Sequence, residues 1–360
     1  MSVLSDQVSD APVDVVPNAI VVPPVAHRYK QAAGVLTAEG AYVEQGATRR
    51  LNMTLTVEPK RPDVPLDFIS GRWLWGGLLF DHFGHFMVES QSRIWNATCP
   101  TLHIDGIAFI PKSPRRGPEL MPFQRDTFVA WGIEQSVRIV SAPTSFEALL
   151  VPNQGIGLGQ LIGATPDMRS AAQKHFARDI SAEGPERLYV SRSALPRQQG
   201  MMILEPFVEQ ALAQDGYAVF HPQTHDIRTQ IARYKAARQI IFADGSPAHL
   251  FAYVARPDQK VAYLPRRKEW SDGPIDHIAA FAGQLPLVLP GPTRIWRAKD
   301  RKAFRNVSYS THDLVALGTE LFRAGMIETA SAWINPDAET LEAMIGRTVP
   351  SGLFVEEPPV

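Results

Sequence analysis

Apolar residues in the middle of this chain come in short continuous runs separated by helix-length stretches. Residues 107–110 read as a buried strand, 120–131 as a helix, and 137–140 and 148–151 as two further strands. A helix around 166–180 bridges to a second unit with a clearer rhythm. There, 187–190 is a strand and 206–214 a helix closed by Gly216 at its C-terminal end. Residues 217–220 form the next strand. Asp226 caps a helix running to Ala237, with Ile227, Ile231 and Tyr234 on its apolar face. Strands at 239–243, 261–264 and 285–289 complete the unit. Strands alternating with helices predict a parallel, Rossmann-like sheet that binds ligands at the carboxyl ends of its strands. Two such units in tandem predict a cleft.

The flanks differ. Residues 1–65 are rich in proline and valine with little helical periodicity; Pro23-Pro24, Gly40 and Gly46 punctuate extended pieces such as 51–57. This predicts an extended arm or small β layer. Trp73-Leu74-Trp75 and Gly76-Gly77 then lead into a helix. Beyond Pro290 the chain turns basic and becomes helical from about Thr311. The expected organisation is an arm (1–65), a first Rossmann-like domain (66–180), a second (181–290), and a basic connector with a helical tail (291–360).

Composition narrows the setting. The 360 residues suffice for two domains, and 45% hydrophobic with 20% charged residues is ordinary for a soluble globular protein. A net charge of -1 gives no reason to expect nucleic acid. Cys99 is the single cysteine, which excludes an intrachain disulfide and a cysteine-based zinc cluster and fits a reducing compartment. No apolar run approaches the roughly 20 residues that cross a bilayer. With no signal-peptide pattern at the start, the expectation is a bacterial cytoplasmic protein.

Three stretches carry candidate chemistry. In Asp81-His82-Phe83-Gly84-His85-Phe86-Met87-Val88-Glu89-Ser90, helical spacing puts His82, His85, Glu89 and Arg93 on one stripe between apolar faces. Such a stripe binds a metal, bonds to itself, or faces a substrate. Zinc helices space two histidines at i and i+4 around a glutamate, which is missing here. His85 or Glu89 is then the candidate general base. Imidazole suits neutral pH, whereas a carboxyl would need burial to raise its pKa.

The second stretch releases Arg192 and Arg197 from the end of a strand, where guanidinium forks suit a diphosphate; two solvated loop arginines are the plainer reading. The third, Asp244-Gly245-Ser246-Pro247-Ala248-His249, combines close backbone approach at Gly245 with a helix start at Ser246-Pro247. A serine-hydrolase reading of Asp244, Ser246 and His249 fails, because no Gly-x-Ser-x-Gly elbow exists. The Gly155-Ile156-Gly157-Leu158-Gly159 run lacks the spacing of a dinucleotide fingerprint and reads as a flexible loop. Arg294, Arg297, Lys299, Arg301, Lys302 and Arg305, interleaved with Ile295, Trp296 and Phe304, read either as a segment lying on an anionic membrane or as a solvated connector.

In order, these stretches resemble glycosyltransferase family 61. Gly84-His85-Phe86-Met87-Val88-Glu89 with Arg93 is similar to the family's Gly-His-aromatic-x-x-Glu segment and following arginine. Ser191-Arg192, Arg197 and Glu205 resemble its strand end, second arginine and helix-opening acid, followed by Gln230-Ile231, Ala237 and the Gly245-Ser246 turn. The chain departs from the pattern at Asp244-Gly245-Ser246-Pro247, where many members have His-Gly-Ala-Ala, and at Leu204, where asparagine is common.

The resemblance implies a GT-B-like α/β fold of two Rossmann-like domains, with acceptor on the first and nucleotide sugar on the second. It also implies inversion without a bound metal or other cofactor. Beside the catalytic candidates His85 and Glu89, His82, Arg93, Arg192, Arg197, Glu205, Asp244, Gly245, Ser246 and His249 are then candidate substrate contacts. The expected partners are a nucleotide-sugar donor and a glycan or lipid-linked glycan acceptor, with peripheral association at the inner membrane face. The expected role is in bacterial surface or capsular polysaccharide assembly. The alternatives are a non-catalytic glycan- or nucleotide-binding protein that retains the fold and, more distantly, a metal-dependent hydrolase.

Overall fold

Within the proline- and valine-rich stretch read as an arm or small β layer, Val13–Val22 forms a strand. In the computed structural model, which describes residues 13–64, 66–267, 273–300 and 307–357, β1 (Val13–Val22) joins the main sheet of the first unit. Its partners there are β2 (Gly34–Leu36), β3 (Asp67–Leu79), β4 (Gly106–Pro111), β5 (Ser136–Ile139) and β6 (Thr144–Pro152), in the order β2-β1-β6-β3-β4-β5. Strands β6, β3, β4 and β5 are parallel, with β3 first in sequence and inside the sheet, as in one half of a Rossmann fold. β1 runs antiparallel to β6 along nearly its whole length. Trp75, fully buried in β3, donates its indole N–H to Gly46 O at 2.8 Å and ties the early chain to the core.

Trp73 to Gly77 lie inside β3 and do not approach a helix through a loop. The register shifts between Trp75 and Gly77, marking a β-bulge, and Gly77 has φ +89°. A Cβ on Gly76 would sit 2.4 Å from the Phe109 ring, so glycine lets the neighbouring strand's aromatic lie across the backbone. Helices α1 (Pro122–Ala130) and α2 (Pro166–His175) complete this unit, which spans Met1–Asp179.

The second unit, Ile180–Val360, holds a five-stranded parallel sheet. It comprises β7 (Arg187–Val190), β8 (Ala218–Phe220), β9 (Gln239–Ala243), β10 (Lys260–Leu264) and β11 (Leu287–Val288), in the order β8-β7-β9-β10-β11. The sequence pattern located these strands closely. Helices α3 (Glu205–Gln214), α4 (Ile227–Ala236), α5 (Pro247–Ala252) and α6 (Gly273–Ala282) alternate with them. Asp226 caps α4 by accepting from Thr229 N, and Gly216 closes α3 at φ +79°.

The last seventy residues are more than a connector and tail. β12 (Arg294–Ala298), β13 (Ser308–Thr311) and β14 (Phe354–Glu356) form a second sheet with Met201–Met202, accompanied by α7 (Leu314–Arg323) and α8 (Ala338–Thr348). Within it Ile295 and Trp296 are buried. Arg294 forks onto Glu356 at 2.7 Å and 2.9 Å, and Arg297 pairs with Glu357 at 2.8 Å. These residues meet protein groups, which leaves Ile295 and Trp296 no apolar face to lay on a membrane; Lys299 is exposed, and Arg301, Lys302, Phe304 and Arg305 lie outside the described residues. Among the described residues, no helix is long and apolar enough to cross a membrane.

Candidate active site

Past β3 the chain makes one α turn, Phe83–His85, then a π turn, Phe86–Ser90, and a 3-10 turn, Ile94–Thr98. Ser90 fixes this start: its hydroxyl donates to Leu78 O and accepts from Phe80 N. The wider π turn breaks the uniform stripe expected from α spacing. His85 and Glu89 stay together, with Nδ1 2.8 Å from Oε2. His82 remains beside them and exposed, its ring centroid 5.1 Å from that of His85.

Arg93 leaves the stripe. It is fully buried and donates to Pro152 O at the end of β6 and to Gln45 O and Ala47 O of the early chain. Burial pushes its guanidinium down, to about 9. These bonds tie Arg93 to the backbone, and it makes no hydrogen bond or ion pair with Glu89.

The arginine on Glu89 is Arg50, which sequence reasoning missed. Its Nε and Nη2 donate to Oε1 at 2.7 Å and Oε2 at 2.6 Å, a bidentate fork. The guanidinium also lies over Phe80, 5.4 Å from the ring centroid, and over Tyr29 at 5.8 Å. Burial alone would raise the Glu89 carboxyl. The bonds from His85 and Arg50 outweigh it and hold the group below its ordinary value. Glu89 is therefore an ionised acceptor beside Nδ1 of His85, which Arg50 Nη2 also approaches at 3.3 Å. Nearby, burial first and then the charge of Arg50 push the Lys112 ammonium down, to about 8; its Nζ donates to Arg28 O and Tyr29 O. Among the described residues, no group of three or more histidine, cysteine, aspartate or glutamate side chains is arranged to hold a metal.

In the second unit, β7 lies between β8, the next strand in sequence, and β9, the one after. The connections leave β7 in opposite directions, so the carboxyl ends of β7 and β9 form a topological switch point, where open parallel sheets bind ligands. β7 releases Ser191-Arg192-Ser193 there and β9 releases Asp244-Gly245-Ser246. The two loops meet: a Cβ on Gly245 would lie 2.9 Å from Arg192 Nη1. Glycine at 245 is thus what admits the guanidinium.

The remaining candidates fall out differently. Glu205 is buried beneath the loop, and its Oε1 accepts from Arg192 N, Ser191 Oγ and Tyr189 OH at 2.7, 3.0 and 3.1 Å. Its carboxylate is thus bonded to the backbone of Arg192 and to two hydroxyls of β7 and its loop; burial raises the carboxyl. Asp244 is also buried, with Tyr263 OH donating at 2.6 Å and Arg267 Nε at 3.1 Å, so its carboxylate is taken up by protein. Arg197 is exposed and donates from Nη1 to Arg347 O at 3.3 Å. His249 is buried, its Nδ1 3.2 Å from Nδ1 of His277. Asp244 and His249 therefore meet Tyr263, Arg267 and His277 instead of forming a hydrolase relay through Ser246. Ser246 is half-buried at the start of α5 and makes no capping bond with its side chain. In the first unit, Gly155 packs against Trp95 and Ile156 is fully buried, so the glycine run is a packed loop rather than a flexible one.

The family model of glycosyltransferase 61 matches residues 83–262, half of the chain, and the chain belongs to that family. It is a glycosyltransferase, and so takes a sugar donor and an acceptor. No curated protein matches it. The matched span includes His85, Glu89, Arg192, Glu205 and Gly245, and excludes Arg50.

Proposed function

We propose that this glycosyltransferase moves a sugar from a nucleotide-sugar donor to a glycan or lipid-linked glycan acceptor, with inversion and without a metal. The setting we propose is the cytoplasmic assembly of bacterial surface or capsular polysaccharide. The observation that carries the chemistry is the Arg50–Glu89–His85 arrangement. An ionised carboxylate holds Nδ1–H of His85 and leaves Nε2 as proton acceptor, with Glu89 balancing the imidazolium once it forms.

In the proposed step His85 Nε2 takes the acceptor hydroxyl's proton as that oxygen attacks the anomeric carbon. The new C–O bond forms as the bond to the donor phosphate oxygen breaks, and the diphosphate departs with the electron pair. Arg192 and the backbone around Gly245, at the switch point of the second sheet, suit the departing charge. Each unit carries a Rossmann-like sheet, in keeping with the GT-B class.

Incubation with UDP-, GDP-, ADP- and CMP-linked sugars, followed by NMR at the anomeric centre, tests the reading. Slow hydrolysis of one donor, and transfer with inverted configuration, are expected. A product of retained configuration would refute the displacement proposed here. Tight donor binding with no turnover toward any acceptor would make the chain a binding protein that keeps the fold.

A further inference from the structure

Two arginine residues follow β10, and sequence analysis gave neither a role. Arg267 pairs with Asp244. Arg266 is different: it is 6% exposed and donates from Nη1 to Ser308 O at 3.0 Å and Ser308 Oγ at 2.7 Å. Its Nε is buried with no hydrogen-bond partner among the described residues, and so is Nε of Arg192. A buried cation with an unsatisfied N–H is costly and calls for an explanation, and a ligand of opposite charge supplies one.

The surroundings hold Arg266 in place. Gly200, at φ +73°, covers it: a Cβ there would lie 2.9 Å from Arg266 Nη1 and 2.4 Å from Ser308 O. His312 Nε2 is 2.7 Å from Pro265 O and fixes the start of the loop. Burial first, and next the charge of Arg192, push the Arg266 guanidinium down, to about 10. Asp244, the carboxylate acting on Arg266, is already occupied by Tyr263 and Arg267. The loop after β10 emerges at the same carboxyl edge as those after β7 and β9.

We propose that Arg266 is a second cationic contact for the donor diphosphate, acting beside Arg192, with Ser308 of β13 as its positioning residue. This rests on the donor-site reading above. Two guanidinium groups meeting one diphosphate would satisfy both orphaned N–H groups and divide the leaving-group charge between them. The final sheet of the chain would then serve the donor site through Ser308.

Calorimetry of the full chain with UDP, GDP and ADP, each compared with its nucleoside, tests this. Arg266→Met keeps the apolar stem and removes the fork. It should weaken binding of the preferred diphosphate about tenfold or more, leave nucleoside affinity unchanged, and make diphosphate binding less salt-sensitive. Unchanged diphosphate affinity in the folded variant would overturn the assignment. If Arg266→Met fails to fold, Ser308→Ala decides: weaker diphosphate binding with intact nucleoside binding supports the proposal, and unchanged diphosphate binding overturns it. Weakening by Arg192→Ala alone would remove Arg266 and spare the donor site. A wild-type chain that binds none of the three diphosphates would remove both.

Discussion

His85 Nδ1 lies 2.8 Å from Glu89 Oε2, and Arg50 closes on the same carboxylate from 39 residues earlier in the chain. In the proposed step this relationship gives His85 and Glu89 different roles. A carboxylate that is buried, ionised and held by two partners is a poor proton acceptor, which leaves the half-exposed imidazole beside it as the proposed base.

His85→Ala should lower turnover by about 10² or more, the scale of lost general-base catalysis. Glu89→Gln should do the same by releasing the tautomer. Nucleotide affinity should stay nearly intact in both, because the donor contacts proposed above are on other residues. Steady-state kinetics with paired calorimetry checks this; normal turnover in folded His85→Ala would assign the base elsewhere.

Arg50→Ala should destabilise the chain by about 3 kcal/mol, since it strips a buried carboxylate of its main partner. Adding Glu89→Gln should recover part of that loss, because the two residues are directly coupled. Denaturant unfolding of the two single variants and the double variant measures the coupling. Strictly additive losses would mean the fork contributes little.

Acid should unfold the protein partly through Glu89. Its folded pKa lies below the ordinary 4.5, so the unfolded chain takes up the proton first as pH falls. The stability it contributes is present above about pH 4.5 and is lost below it. Glu205 works in the opposite sense, its carboxyl being raised, so the comparison must be wild type against Glu89→Gln. The variant should show a shallower loss of stability in that range; identical slopes would mean Glu89 is not held ionised.

Arg192→Ala and Gly245→Val should each weaken nucleotide-diphosphate binding by about 1.5–3 kcal/mol, the range for a hydrogen bond to a charged group. The valine acts indirectly, because its Cβ would displace the Arg192 guanidinium. Binding of acceptor alone should not change. Calorimetry with UDP, GDP, ADP and CMP tests this, and unchanged affinities in both folded variants would put the donor site elsewhere.

Transfer should survive exhaustive chelation, as expected where arginine and backbone N–H groups carry the leaving-group charge. An assay in EDTA decides it. Complete loss of activity, restored by manganese or magnesium, would require a cation in the proposed step.

The sequence by itself determined much of the second unit. Apolar runs of four or five residues, the Asp226 cap and Gly216 marked the strands and helices that bring Arg192 and Gly245 to one sheet edge. Those signals are local, so local reading finds them. The His85–Glu89 pair was legible for the same reason, being one helical turn apart.

Only the tertiary structure decided what was long-range. β1 pairs with β6, more than a hundred residues later, through backbone groups that carry no residue code. Arg50 reaches Glu89, and Arg266 reaches Ser308, from stretches whose own patterns say nothing of a site. Arg93, Glu205 and Asp244 have the residue types of ligand contacts, yet the fold buries each against protein groups. Composition proposes which side chains have chemistry. Packing decides which of them keep a free face, because a buried polar group must find its partners wherever the chain brings them.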